Sequence, residues 1–411
     1  MLIDAIAGAR LGGQGEQGEQ TLLLAGGRVA QIRARSASER GCILEAGGRA
    51  IVPAFVDAHV HLDKAFLALH AGSCAPRLDA AIQAVAARRE TLALEQVRAN
   101  AERALGLLIR NGVVAARVHA EIDPVVGLTL VELQQELAAR VAERIELQLV
   151  AFPQRGLELA GMIELMDAAL RAGVPVVGGC PYVDRDPERH LDLVFHLAAR
   201  HDVPIDLHLD FSDEPGRSLL SLVVERVRAH GVPGRVTLGH VTTLAAMTPE
   251  AQAAALDLLA SAGISLVVLP ATDLYLAGHG EPGTRSLAPI ARARRAGVRV
   301  AIANNNLHNP FAPFGNASLL QAAWLAGIVQ RLADAEGRRI LLEAITREPA
   351  AILGLPAHGP SEGALAHLAL LDTHDPEHSV SLAPAVLATL RNGCLSHRLS
   401  GVAAPSPPPA V

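Results

Sequence analysis

Two histidines one residue apart, His59 and His61, lie in the run Val52-Pro53-Ala54-Phe55-Val56-Asp57-Ala58-His59-Val60-His61-Leu62-Asp63-Lys64. On an extended strand, residues two apart face the same side, so both imidazoles point to one place. Two neutral imidazoles held that way form a site for a transition metal. Three more histidines close apolar runs of strand length: His119, His208 and His240. A lone histidine at a strand end is often only a satisfied polar residue. His208 differs, because Asp206 and Asp210 stand two residues to either side of it and share its face.

These groups need a scaffold that brings distant strand ends together. Strand-length apolar runs occur at Ile51–His61, Val113–Glu121, Glu146–Gln154, Val176–Tyr182, Ile205–Asp210, Arg235–His240, Ser265–Pro270 and Val298–Asn305. Longer Ala/Arg/Leu segments with helical character lie between them. Eight strands, each followed by a helix, predict a (β/α)8 TIM barrel, whose strand C-termini share one mouth. A doubly wound open sheet is the rival, but no Gly-rich phosphate turn follows any of these strands. Residues 1–50 do not fit the barrel: Thr21–Arg33 alternates and turns at Gly26-Gly27, as a hairpin does. Ala364–Asp372 and Leu387–Leu399 have similar extended character. The reading is an α/β chain with a small β-sandwich domain built from both termini (1–50 and 355–401), a barrel at 51–354, and a disordered Pro-rich tail at 402–411.

Composition narrows the partners. The net charge is −6, and aromatics make up only 2% of residues, so no basic surface interleaved with aromatic rings points to nucleic acid or an anionic membrane. No apolar run reaches the length of a membrane span, and Met1–Gly13 does not read as a signal peptide. Cys42, Cys74, Cys180 and Cys394 are scattered without metal-ligand spacing, as reduced thiols of a cytoplasmic protein would be. A small molecule is the expected partner.

The Pro-x-Phe-Val-Asp-Ala-His-x-His-Leu-Asp-Lys run resembles the first-strand motif of the amidohydrolase superfamily. Val150-Ala151-Phe152-Pro153-Gln154, Val177-Gly178-Gly179, Ile205-Asp206-Leu207-His208 and Phe311-Ala312-Pro313-Phe314-Gly315-Asn316 resemble its cytosine deaminase and N-isopropylammelide amidohydrolase branch. The resemblance implies a barrel with a small β-sandwich, and one divalent metal, zinc or iron, that activates water to attack a C–N carbon. It implies His59, His61 and His208 as metal ligands and His240 beside the nucleophile or substrate. Gln154, His119 and Lys64 would hold the substrate. This superfamily often assembles, so a homo-oligomer is within its repertoire. No Lys stands on the fourth strand, which argues against a carbamate-bridged pair of metals.

Two positions depart from the pattern, and both concern proton handling. Asn305, in Asn304-Asn305-Asn306, stands where the branch has a metal-binding, proton-accepting Asp. An amide oxygen is a poorer donor to a cation than a carboxylate and takes up no proton at neutral pH. Phe211 stands where the deaminases carry a proton-shuttling Glu. Asp210, on the inward face of the fifth strand, is the candidate replacement base; its alternative role is to orient His208. The expected activity is hydrolysis of a C–N bond in a small polar nitrogen heterocycle or cyclic amide. The alternative is a catalytically altered or metal-free protein that binds a small molecule on the same fold.

Overall fold

The computed structural model describes all residues except 13–17, 36–39, 70–76, 90, 278–286 and 401–411. The Pro-rich tail and Cys74 therefore lie outside the described residues. Eight parallel strands form the barrel: Phe55–Val60, Val113–Glu121, Glu146–Phe152, Val176–Gly179, Ile205–Leu209, Val236–His240, Ser265–Val268 and Val300–Ile302. Each pairs in parallel with the next. A bridge between Val60 and Asn305 joins the eighth strand to the first. There the amide of Asn305 donates to the carbonyl of His59 (2.8 Å), and that of His61 to the carbonyl of Asn305 (2.9 Å). The closing seam of the barrel thus runs through three candidate metal ligands.

The predicted first strand is two strands. Ala50–Pro53 pairs antiparallel with Leu368–Leu371 and parallel with Ala5–Leu11, in the sheet made by the termini. The barrel strand begins at Phe55, after Pro53, which has no N–H to give a ladder. The terminal sheet has its own core, including Ile3, Ile6, Leu22, Leu44, Leu368 and Leu390. Its hairpin from Gln20–Ala25 to Arg28–Ala34 turns at Gly26 and Gly27, both with positive φ (56° and 76°), as a tight two-residue hairpin turn requires.

Several barrel strands are shorter than their apolar runs suggest. Pro270, read as the end of the seventh strand, is instead the first residue of a helix, Pro270–Leu276, because its fixed φ suits a helix start. The chain after the seventh strand is therefore helical as far as Leu276, and 278–286 lies outside the described residues. Asp210 falls one residue beyond the fifth strand.

Candidate metal centre and active site

Inside the barrel, strands one, two, five and six contribute a buried polar column. Near its base, Arg117 is fully enclosed; it donates to Asp206 Oδ2 (2.7 Å), Thr237 Oγ1 (3.2 Å), Gln148 Oε1 (2.8 Å) and the carbonyl of Ile352 (3.2 Å). Breaking a buried pair by removing one partner typically costs about 3–5 kcal/mol, so Arg117 and Asp206 act as a rigid floor. Burial pushes the Asp206 carboxyl up, but His119 and Arg117 outweigh it and hold it below the usual carboxylate range. The other oxygen of Asp206 takes His119 Nε2 at 3.1 Å.

Above that floor the imidazoles converge. His208 Nε2 lies 3.1 Å from His59 Nε2 and 3.2 Å from His61 Nε2. One ring nitrogen each of His59, His61 and His119 also fall within 4.8 Å of one another. The His119 ring stacks on His59 with centroids 3.8 Å apart. Gly239 makes room for this packing: a Cβ there would meet the His59 ring at 3.2 Å. Burial, then neighbouring positive groups, push His59, His61 and His208 well below the ordinary histidine range. They are neutral at pH 7, the form that offers lone pairs to a metal.

The residues fit a divalent cation. Three imidazoles bring the same nitrogen to one spot, and the Oδ1 of Asn305, buried beside them, has no hydrogen-bond partner. Imidazole and amide oxygen are a donor set for zinc or iron. Asp57, two residues before His59, is wholly buried and braces the seam. Its Oδ2 accepts from Asn304 Nδ2 (2.7 Å), and its Oδ1 accepts from the amides of Asn304 and His59 (3.3 Å each). Burial pushes its carboxyl up to about 6 against those bonds.

A small pocket opens over the imidazole cluster, lined by His61, His208 and Asn305, with Gln154, Tyr182, Phe211 and His240 among the other walls. The backbone around it is strained. Asp210, His240, Val241 and Asn305 all have positive φ (49°, 72°, 48° and 59°), which is uncommon for side chains bearing Cβ and costly for the β-branched Val241.

The structure brings His59, His61, His208, His240, Gln154 and Asn305 together, with His119 stacked on His59, Lys64 bonded to Gln154 and Asp210 outside the pocket lining. His119 does not line the pocket, because its ring stacks on His59 and bonds to the floor. Lys64 is fully buried beside the pocket and bonds to Gln154 and Glu121. Asp210, expected on the inward face, lies past the strand end, where alternation no longer applies. Its carboxylate accepts from Ser218 Oγ (2.5 Å), the amide of Leu219 (3.0 Å) and Thr243 Oγ1 (3.2 Å), outside the pocket lining. Asp273 joins the site from outside any motif: its Oδ1 takes His240 Nδ1 at 2.6 Å while its Oδ2 accepts from the amide of Leu269. No spacing signal marks Asp273. Glu121 was legible, since it follows His119 by two on one strand face.

A barrel with imidazoles at its strand ends and a pocket above them defines a hydrolase of the metal-assisted type. The chain belongs to the amidohydrolase family, whose model matches residues 76–395, and within it to the cytosine deaminase-like branch. It is 26% identical to the N-isopropylammelide isopropyl amidohydrolase of Pseudomonas sp. (strain ADP), over 90% of this chain and 91% of that one. It is 28% identical to a pterin deaminase of Rhizobium rhizogenes, over 75% of this chain and 71% of the relative. Among solved structures, 5-methylcytosine deaminase from Klebsiella pneumoniae liganded with phosphonocytosine superposes with a TM-score of 0.88 at 26% identity, covering 96% of this chain and 98% of that one. The protein is a hydrolase of carbon–nitrogen bonds other than peptide bonds.

Proposed function

We propose that this enzyme hydrolyses a C–N bond of a small, polar nitrogen heterocycle or cyclic amide, using one divalent metal ion, zinc or iron. The observation that carries this is the meeting of His59, His61 and His208 through their Nε2 atoms directly beneath a pocket. The names of its relatives, which are amidohydrolases and deaminases of ring compounds, agree with it. His59, His61 and His208 would hold the cation, with Asn305 Oδ1 and His119 beside them. Held there, it would supply Lewis acidity toward water, making water a nucleophile for the substrate's C–N carbon at neutral pH.

The chain's own residues do the rest. His240 stands in the pocket wall with its Nδ1–H fixed on Asp273, so its Nε2 is the atom free to accept a proton and return it to the leaving nitrogen. We assign His240, rather than Asp210, as the proton carrier. Asp210 instead ties the fifth-strand loop to Ser218, Leu219 and Thr243. Phe211, 4.6 Å from His240 between ring centroids, together with Leu276 and Phe311, shields that proton from bulk water.

Two further parts of the reading rest on their own observations. Cys42, Cys180 and Cys394 are unpaired thiols, which supports a reducing compartment such as the cytoplasm; among the described residues no helix is long and apolar enough to cross a membrane. The helix Leu319–Gln330 has no charged residue, and Trp324, Ile328 and Val329 on it are exposed, which supports a homo-oligomer.

Metal analysis of protein purified without chelator tests the main reading, together with assays for ammonia or amine released from a panel of nitrogen rings. About one zinc or iron per chain, and activity that falls on chelation and returns with metal, is expected. Phe211 and Asn305 in the pocket favour a second reading, a ring-binding protein without turnover. Tight ring binding with no product, or protein that takes up no metal, would establish that reading instead.

A further inference from the structure

A buried dication needs negative charge close by, and the walls over this site supply none. Imidazole and amide ligate a cation as neutral groups. His59, His61, His208 and Asn305 Oδ1 would therefore leave its double charge unbalanced. Among the described residues, none that lines the pocket is acidic. Leu78, Phe211, Leu276 and Phe311 instead make much of its wall apolar, and a charge facing such walls is poorly screened by water.

The buried carboxylates of this region are each held by other groups. Asp57 accepts from Asn304 Nδ2 (2.7 Å) and from the amides of Asn304 and His59 (3.3 Å each). Asp206 pairs with Arg117 at 2.7 Å and with His119 at 3.1 Å. Asp273 holds His240 Nδ1 at 2.6 Å, and Glu121 holds Lys64 at 3.1 Å. All four are buried, so turning one toward the cation would orphan a buried partner, which is strongly unfavourable. Asn305, by contrast, is 1% exposed and lines the pocket with its Oδ1 unpartnered.

We propose that the substrate brings the missing charge: the pocket selects rings that carry an ionised carboxylate, whose oxygen completes the coordination of the cation beside Asn305. A carboxylate is the stronger donor to a divalent cation, and a neutral ring of the same shape leaves the charge unbalanced and binds weakly. Zinc sites expand from four donors to five, so a bound carboxylate leaves water its place. The inference rests on the metal-dependent ring-hydrolase reading and specifies its substrate class.

The test is binding of nicotinate and nicotinamide, two nitrogen rings of one shape that differ in charge. The protein is loaded with cobalt(II), whose visible absorption reports a change of ligand. Loaded wild type should bind nicotinate at least about tenfold more tightly than nicotinamide, and nicotinate should shift the cobalt bands. Metal-free wild type has lost the partner of the anion, so its preference should lie within about threefold. In Asn305→Asp the protein itself provides the carboxylate, and the preference of the loaded form should also shrink to within about threefold. Loaded wild type that binds both rings equally overturns the proposal. So does a full preference in the metal-free protein or in folded Asn305→Asp. Should Asn305→Asp fail to fold, the comparison of loaded with metal-free wild type decides alone. Protein that takes up no cobalt, or binds neither ring when loaded, brings down the metal-dependent ring-hydrolase reading and this inference with it. Equal binding of the two rings removes this inference alone.

Discussion

Two aspartates flank the imidazole pocket, and they exchange the roles their positions suggest. Asp210 follows His208 by two and belongs to the right strand, yet its carboxylate is consumed by Ser218, Leu219 and Thr243. Asp273 lies on a short helix after the seventh strand, 33 positions from His240 in the chain, yet it holds His240 at 2.6 Å. The difference is where regular backbone stops. Side-chain alternation is a property of extended residues, and Asp210 has left the strand with φ at 49°. Asp273 is aimed by a helix that Pro270 starts, with the amide of Leu269 bonded back to its second oxygen. A neighbour in sequence is thus a poorer guide to a histidine's partner than the element entering its space.

Substitutions at the two positions separate these roles. Asp273→Asn should leave the fold intact but lower kcat by about 10²- to 10³-fold, because His240 loses the charge that fixes its tautomer. Steady-state kinetics with matched thermal melts would show it; a loss under threefold would mean that His240 needs no orienting carboxylate. A smaller effect is expected where the metal side lacks a carboxylate. Asn305→Asp should tighten metal binding by roughly tenfold, measured by competition with a chelator, since a carboxylate replaces a neutral oxygen that has no other partner. Unchanged affinity would place Asn305 outside the coordination sphere.

The smallest catalytic effect should come from Asp210→Asn: kcat within about threefold of wild type, with a stability loss on the order of 1–3 kcal/mol from three impaired hydrogen bonds. Its pH dependence has a definite sign. Burial, opposed by Ser218, Leu219 and Thr243, raises the Asp210 carboxyl above its ordinary 3.8. The folded state therefore keeps a proton that the unfolded chain has released, and stability from this group is present below 3.8 and lost as pH rises through the folded value. The deficit of Asp210→Asn, a neutral side chain throughout, should accordingly be largest in acid and narrow as pH rises. Denaturant melts at several pH values measure it, and a deficit that widens with pH would contradict the burial account. Loss of turnover in a stable Asp210→Asn protein would reverse the comparison and make Asp210 the base.

The local signals were sound where periodicity is strong. The His59/His61 pair, the barrel strands and the Gly26-Gly27 hairpin follow from alternation, apolar runs and turn chemistry, each a property of a few adjacent residues. The same logic overran at strand ends: Pro53 closes a strand of the other sheet, and Pro270 opens a helix, though each sits inside an apolar run.

What the amino-acid order determined by itself was the class of chemistry: neutral imidazoles on adjacent inward positions of parallel strands, with the amide of Asn305 and the ring of Phe211 following the eighth and fifth strands. Only the tertiary structure decided which partner each group takes. It sent His119 down to Asp206, closed Lys64 onto Gln154 and Glu121, and gave His240 to Asp273 across 33 positions of chain. Hydrogen bonds reach about 3 Å and ignore sequence separation, so they are settled by the closing of the barrel, which no window of neighbouring residues contains.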